Sequence, residues 1–128
     1  MSWFLILSII TAVPPPPASS AMIPGFIDGG RLYALCSARA DDAGGASALC
    51  LGYVVGSADQ ILARQARRPV AQHRICLPAG LSAEQLSGAI SERIGRDRRL
   101  WSQAASTVVQ AALEDLYPCS SDGRHGGH

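Results

Sequence analysis

Four cysteines, Cys36, Cys50, Cys76 and Cys119, and three histidines, His73, His125 and His128, are the side chains here with the most distinctive chemistry. Cysteines can hold a metal, attack as thiolates or pair as disulfides. Zinc ribbons and thioredoxin-type sites place two cysteines in a C-x-x-C turn, and the chain has no such spacing. A nucleophilic cysteine needs a base beside it, yet His125 and His128 lie in a polar, Gly-rich end. No paired carboxylates sit with a histidine, no glycine loop follows a strand, and no serine–histidine arrangement is evident. The cysteines therefore read as two disulfides, with no metal and no cofactor. The chain reads as a binding protein and not an enzyme.

The elements that carry the cysteines read as helices. Strand-like alternation is scarce, and alanine and glycine are abundant while aromatics are few. Asp28 is a candidate N-cap for a first helix over 29–39, with Leu32, Leu35 and Cys36 as its stripe. A second helix covers 47–67, with Cys50, Val54, Ala58, Ile61 and Leu62 at helical spacing, and Pro69 ends it. Ser82 and Gln85 form a capping box, with Leu81 and Leu86 as its staple. They open a third helix for which Gly95 is the expected C-cap. A charged connector, Arg96 to Arg99, leads to a fourth helix over 101–117 that stops at Pro118. The expected fold class is all-α, a small four-helix bundle stapled by two disulfides.

Four cysteines allow three pairings, and an up-down-up-down bundle selects one. Cys36 and Cys50 fall at one end. The second helix, about 20 residues or roughly 30 Å long, carries Cys76 to the other end, and the last two helices bring Cys119 back beside it. The expected pairs are Cys36–Cys50 and Cys76–Cys119. The stretch from Cys50 to Asp59 is the centre of this arrangement. A glycine inside a helix costs about 1 kcal/mol relative to alanine. Gly52 and Gly56, four apart on one face, are therefore expected to admit another backbone, either a helix of the bundle or a second subunit. Tyr53 is expected to pack with its hydroxyl near the surface, and Asp59 has no assigned role.

All eleven basic residues are arginines, and the formal net charge is +1. Residues 61–100 carry eight of them against Glu84, Glu92 and Asp97, so this part is basic and the rest acidic. Such asymmetry can steer an acidic partner. The near-neutral balance and the lack of a recognition motif argue against nucleic acid. Charge and exposure single out Arg64, Arg67, Arg68 and Arg74 in one connector and Arg96, Arg98 and Arg99 in the other as candidate partner contacts. At the N-terminus an apolar run, Trp3 to Val13, precedes Ser19-Ser20-Ala21, small residues of the kind a signal peptidase reads. Residues 1–21 are expected to be a signal peptide, 22–119 the folded domain, and 120–128 a disordered tail. No membrane association is expected once the leader is removed.

The order of these pieces resembles the Rap/Tai family of type VI secretion immunity proteins. The residues carrying the likeness are Phe26-x-x-Gly-x-x-Leu32-x-x-x-Cys36 and Cys50-x-Gly52-Tyr53-x-x-Gly56-x-x-Asp59. Cys76-x-Pro78, Leu81-Ser82-x-x-Gln85-Leu86 and Tyr117-Pro118-Cys119 complete the set. The third-to-fourth helix loop departs from the family pattern, since Arg96 to Arg99 stand where a proline-containing loop is usual. The resemblance implies a helical periplasmic protein, often a homodimer, that binds and blocks a peptidoglycan-cleaving amidase. The alternatives are a small helical periplasmic chaperone of the acid-stress type and a structural envelope-interaction domain. Few histidines and no dense acidic cluster are present to act as an acid trigger.

Overall fold

Asp28 opens the first helix by accepting the Arg31 backbone N–H on Oδ1 at 2.8 Å, which satisfies one of the donors a helix start leaves free. The structure, a computed structural model, describes residues 12, 25–39, 41 and 44–120. Four α-helices follow in order: α1 (Gly29–Cys36), α2 (Ala46–Ala66), α3 (Ala83–Arg96) and α4 (Ala105–Leu116). Short 3-10 turns, Val70–Gln72 and Arg98–Ser102, precede α3 and α4. There is no strand among the described residues, only two isolated antiparallel bridges, Asp28 to Ala104 and Ile75 to Pro118. The fold is the expected all-α bundle with two disulfides. The leader lies outside the described residues except for Ala12, as does the tail except for Ser120.

Both disulfides join the expected partners. Cys36 and Cys50 tie the end of α1 to the first turns of α2 with their Cα atoms 5.0 Å apart. Cys76 and Cys119 tie the connector before α3 to the end of α4 at 4.9 Å. The core between them is apolar. Leu32 of α1, Val54 of α2, Ile90 and Ile94 of α3, and Val108, Val109 and Leu113 of α4 are fully buried. Each such side chain contributes about 1.5–3 kcal/mol when removed from water. The capping box at Ser82 is complete: Ser82 Oγ accepts from Gln85 N, and Gln85 Oε1 accepts from Ser82 N. The flanking Leu81 and Leu86 both join the core.

Three boundaries differ from expectation by more than one residue. The first helix ends at Cys36 and not at residue 39, because beyond Cys36 the chain runs Ser37-Ala38-Arg39 with no large apolar side chain to bury, and a short helix depends on packing. The fourth helix starts at Ala105 and not at residue 101. Residues 101–104 are taken up by contacts with the start of α1. Gln103 O accepts from Gly29 N at 2.9 Å, and Ala105 N donates to Ile27 O at 3.0 Å. The Trp101 indole N–H donates to Ile94 O at 3.1 Å, and its ring lies 5.3 Å from that of Tyr33.

Gly95 is not the C-cap of α3, which runs on to Arg96 with Asp97 as its cap. Its missing side chain instead makes room for the Tyr33 ring, whose Cε2 would lie 2.8 Å from an added Cβ. Gly29 is the second glycine that packing demands. It is buried, and a Cβ there would strike the Leu100 carbonyl oxygen.

Candidate functional site: the arginine connectors and the outer face of α2

The last turn of α2 carries Arg64, and Arg67 and Arg68 follow directly. Pro69 then turns the chain into the 3-10 turn. What fixes the next residues is Gln65, whose importance was not evident from the sequence. Its Oε1 accepts from Arg74 N at 2.9 Å and from Ile75 N at 3.0 Å, and its Nε2 donates to Ile75 O at 2.7 Å. One amide thus takes the place of a pairing strand along Arg74 and Ile75. The other edge of the same segment pairs with the end of α4, through Cys76 N to Tyr117 O at 2.8 Å and Cys119 N to Arg74 O at 3.1 Å. His73 Nε2 lies 3.0 Å from Arg68 O, so an Nε2-protonated ring donates there.

Gln65→Leu is expected to leave these backbone groups unpaired and to cost about 2 kcal/mol. Hydrogen exchange at the Arg74 and Ile75 amides should quicken. An unchanged denaturation midpoint would show that the amide is not the clamp.

Three of the seven candidate arginines face a carboxylate. Arg74 lies 3.9 Å from Glu114, Arg99 lies 2.9 Å from Asp97, and Arg96 pairs with Glu92 on its own helix. Arg93 links the two regions, at 3.0 Å from Asp115 and 3.9 Å from Asp97. The adjacent acids Glu114 and Asp115 therefore stand between Arg74 and the Arg93–Asp97–Arg99 group. Together these residues relate two connectors that looked separate in sequence. Arg93 was missed because Asp115 lies 22 positions away; the only local sign was its i,i+4 spacing to Asp97. A polar groove of about 480 Å³ beside the connector is bordered by His73, Arg74, Glu114 and Asp115.

Arg98 stacks its guanidinium 4.2 Å from the centre of the Trp101 ring. Arg64, Arg67 and Arg68 are exposed and have no carboxylate within ion-pair distance among the described residues. The hydrogen bond from the Arg99 side chain holds the Asp97 carboxyl below its ordinary value. Its contribution to stability is present above the usual carboxylate range and is lost as pH falls through the lowered value. Asp97 also accepts from Arg99 N at 3.1 Å, so it is a structural cap as well as an ion-pair partner.

At Gly52 and Gly56 the expected contact with a helix of the bundle is not made. Both are exposed, and nothing within the chain lies within 4 Å of where their Cβ atoms would be. They therefore admit no helix of this bundle. They instead floor an open, mainly apolar groove of about 390 Å³, lined also by Tyr53, Gln60, Ile61 and Arg64. Tyr53 is half-buried against the core. Asp59 is exposed on α2 and joins no ion pair among the described residues. Among the described residues, no three His, Cys, Asp or Glu side chains form a group that could hold a metal ion. His125 and His128 lie outside the described residues.

The family model of the Rap1a immunity proteins matches residues 28–119. This interval begins at the Asp28 cap of α1 and ends at the second cysteine of the Cys76–Cys119 bond. No curated protein and no solved structure matches the chain.

Proposed function

The chain belongs to the Rap1a immunity protein family, and on that premise we propose that it protects its own cell from a secreted effector by binding it. The effector in this proposal is a peptidoglycan amidase delivered by a type VI secretion system. The complex forms in the periplasm, after removal of an N-terminal signal peptide, with the immunity protein as a homodimer. The observation that carries the reading is the family match across the whole helical unit, with both disulfides inside it. Disulfides suit an oxidising compartment, which supports the location.

In this reading inhibition is by occlusion and involves no chemistry on the effector. The face formed by Arg68, Arg74, Arg96, Arg98 and Arg99 approaches the amidase and covers its substrate cleft. Gln65 and the Cys76–Cys119 bond hold the connector in place before binding, which lowers the ordering cost of association. Arg68 and Arg98 have no carboxylate partner among the described residues and contribute most to steering.

The test is titration of the mature protein against the candidate amidase, with release of peptide from peptidoglycan as the readout. The expected result is stoichiometric loss of activity. Charge reversal at Arg68 and Arg98 is expected to slow association about tenfold at low salt and to flatten its salt dependence. Full amidase activity in excess immunity protein would refute the proposed effector class. An association rate indifferent to both reversals would refute the proposed face.

A further inference from the structure

Among the described residues, Arg98 alone of the seven candidate arginines is both without a carboxylate partner and seated on an aromatic ring. Arg74, Arg96 and Arg99 face Glu114, Glu92 and Asp97. Arg64, Arg67 and Arg68 are exposed, and neither a carboxylate nor a ring among the described residues orients their side chains. The guanidinium carbon of Arg98 lies 4.2 Å from the centre of the Trp101 ring, and indole is the aromatic face that attracts a cation best.

The ring under Arg98 is itself fixed. Its indole N–H donates to Ile94 O at 3.1 Å, and the Tyr33 ring lies 5.3 Å away. The bare backbone of Gly30 lies alongside, where an added Cβ would stand 3.4 Å from Trp101 Cβ and 3.5 Å from its Cε3. Residues of α1 and α3 thus hold the indole, while Arg98 above it is exposed. Stacking engages the flat face of a guanidinium and leaves its N–H donors, which lie in its plane, available. The acids of the same connector are already taken. Asp97 accepts from Arg99 Nε at 2.9 Å and from its terminal amino group at 3.0 Å, and Glu92 pairs with Arg96.

We propose that Arg98, held on Trp101, is the anchor of the effector contact and takes a carboxylate of the effector in a bidentate pair. The planar fork of an arginine matches the two oxygens of a carboxylate. A phosphate would suit the fork equally, but the proposed effector is a protein, whose surface offers Asp and Glu. This rests on the immunity reading and deepens it by naming the group that the effector presents. The other arginines of the face steer the approach by charge. Arg98 is already oriented and gives up little side-chain freedom on binding, so it governs how long the complex lasts. Arginine and tryptophan are among the residues that carry most of the energy of protein interfaces.

The test follows association and dissociation of the mature protein and the candidate amidase by surface plasmon resonance. Arg98→Lys keeps the charge and loses the fork. It is expected to leave the association rate unchanged and to speed dissociation about tenfold. Among the amidase's Asp and Glu residues, one replacement by the matching amide is expected to give a similar loss and to add nothing to Arg98→Lys. Trp101 is a positioning residue. Trp101→Phe is expected to speed dissociation about threefold in the wild-type background and to have no effect in the Arg98→Ala background, whereas a purely structural ring would act equally in both.

Dissociation of Arg98→Lys at the wild-type rate, the absence of any such carboxylate on the amidase, or an equal effect of Trp101→Phe in both backgrounds would overturn the anchor. Each is read on a wild-type complex that forms, so the immunity reading would stand. A wild type that neither binds nor inhibits the amidase would remove that reading and the anchor with it.

Discussion

Replacing Cys76 and Cys119 together by alanine is expected to lower stability by about 4 kcal/mol. The bond closes a loop with a sequence separation of 43, against 14 for Cys36–Cys50. In the chain-entropy account the longer loop has more freedom to lose in the unfolded state, and the shorter bond contributes about 3 kcal/mol. A domain of this size has a total stability of about 5–15 kcal/mol, so loss of the longer bond removes a large share.

Local structure should survive better than global stability. The connector keeps its backbone pairing with Tyr117 and Cys119 and its clamp at Gln65. The measurement is denaturant unfolding of the double variant, which avoids the stray thiol that a single replacement would leave. The Cys36/Cys50 pair of replacements serves as the comparison. Equal losses from the two would argue that strain or residual unfolded structure outweighs loop length here.

Gly29→Ala is expected to cost about 3 kcal/mol, near the upper end for overpacking. One methyl group is a small change, but it would meet backbone. The added Cβ collides with the Leu100 carbonyl oxygen and would stand 3.0 Å from the Leu100 carbonyl carbon and 3.2 Å from Val108 Cγ2. Leu100 cannot easily yield, because its N–H is bonded to Asp97 O at 3.1 Å and its own carbonyl accepts from Gln103 N at 3.2 Å. Gln103 in turn accepts from Gly29 N. Relief of the clash therefore has to separate α1 from the turn before α4. A fall in the melting temperature with loss of the Trp101–Tyr33 contact, read from near-ultraviolet circular dichroism, is the expected signature. A melting temperature unchanged from wild type would mean that this junction is looser than its geometry indicates.

The contrast between glycines shows what one sequence can reveal. Local devices were legible. The Ser82–Gln85 box is a four-residue pattern, and the Asp28 cap precedes its helix directly. The cysteine pairing followed from helix count and helix length, because alternating helices leave each cysteine one neighbour at its own end. Glycine roles depend on what lies across the gap, and sequence spacing does not report that. Gly52 and Gly56 had the suggestive spacing, yet their surface is open. Gly29, marked only as part of a longer motif, and Gly95, marked as a cap, are the two pressed against Leu100 and Tyr33. Gln65 escaped notice for the same reason, since its partners lie nine and ten residues away. The arginine connectors were visible as charge, but only the fold shows that Glu114, Asp115 and Arg93 relate them.

The two disulfide loops also follow one another along the chain without overlapping: residue 50 closes the first before residue 76 opens the second. A chain that meets an oxidant from its N-terminus onward would pair each cysteine with the next to appear. Cys36 would find Cys50 while Cys76 was still to come, and Cys76 would then wait only for Cys119. Simple oxidation in order of emergence thus yields the native pattern, and an isomerase would find no wrong bond to correct. A toxin inhibitor made this way could mature as fast as it is exported, without a reshuffling step that leaves the cell unprotected.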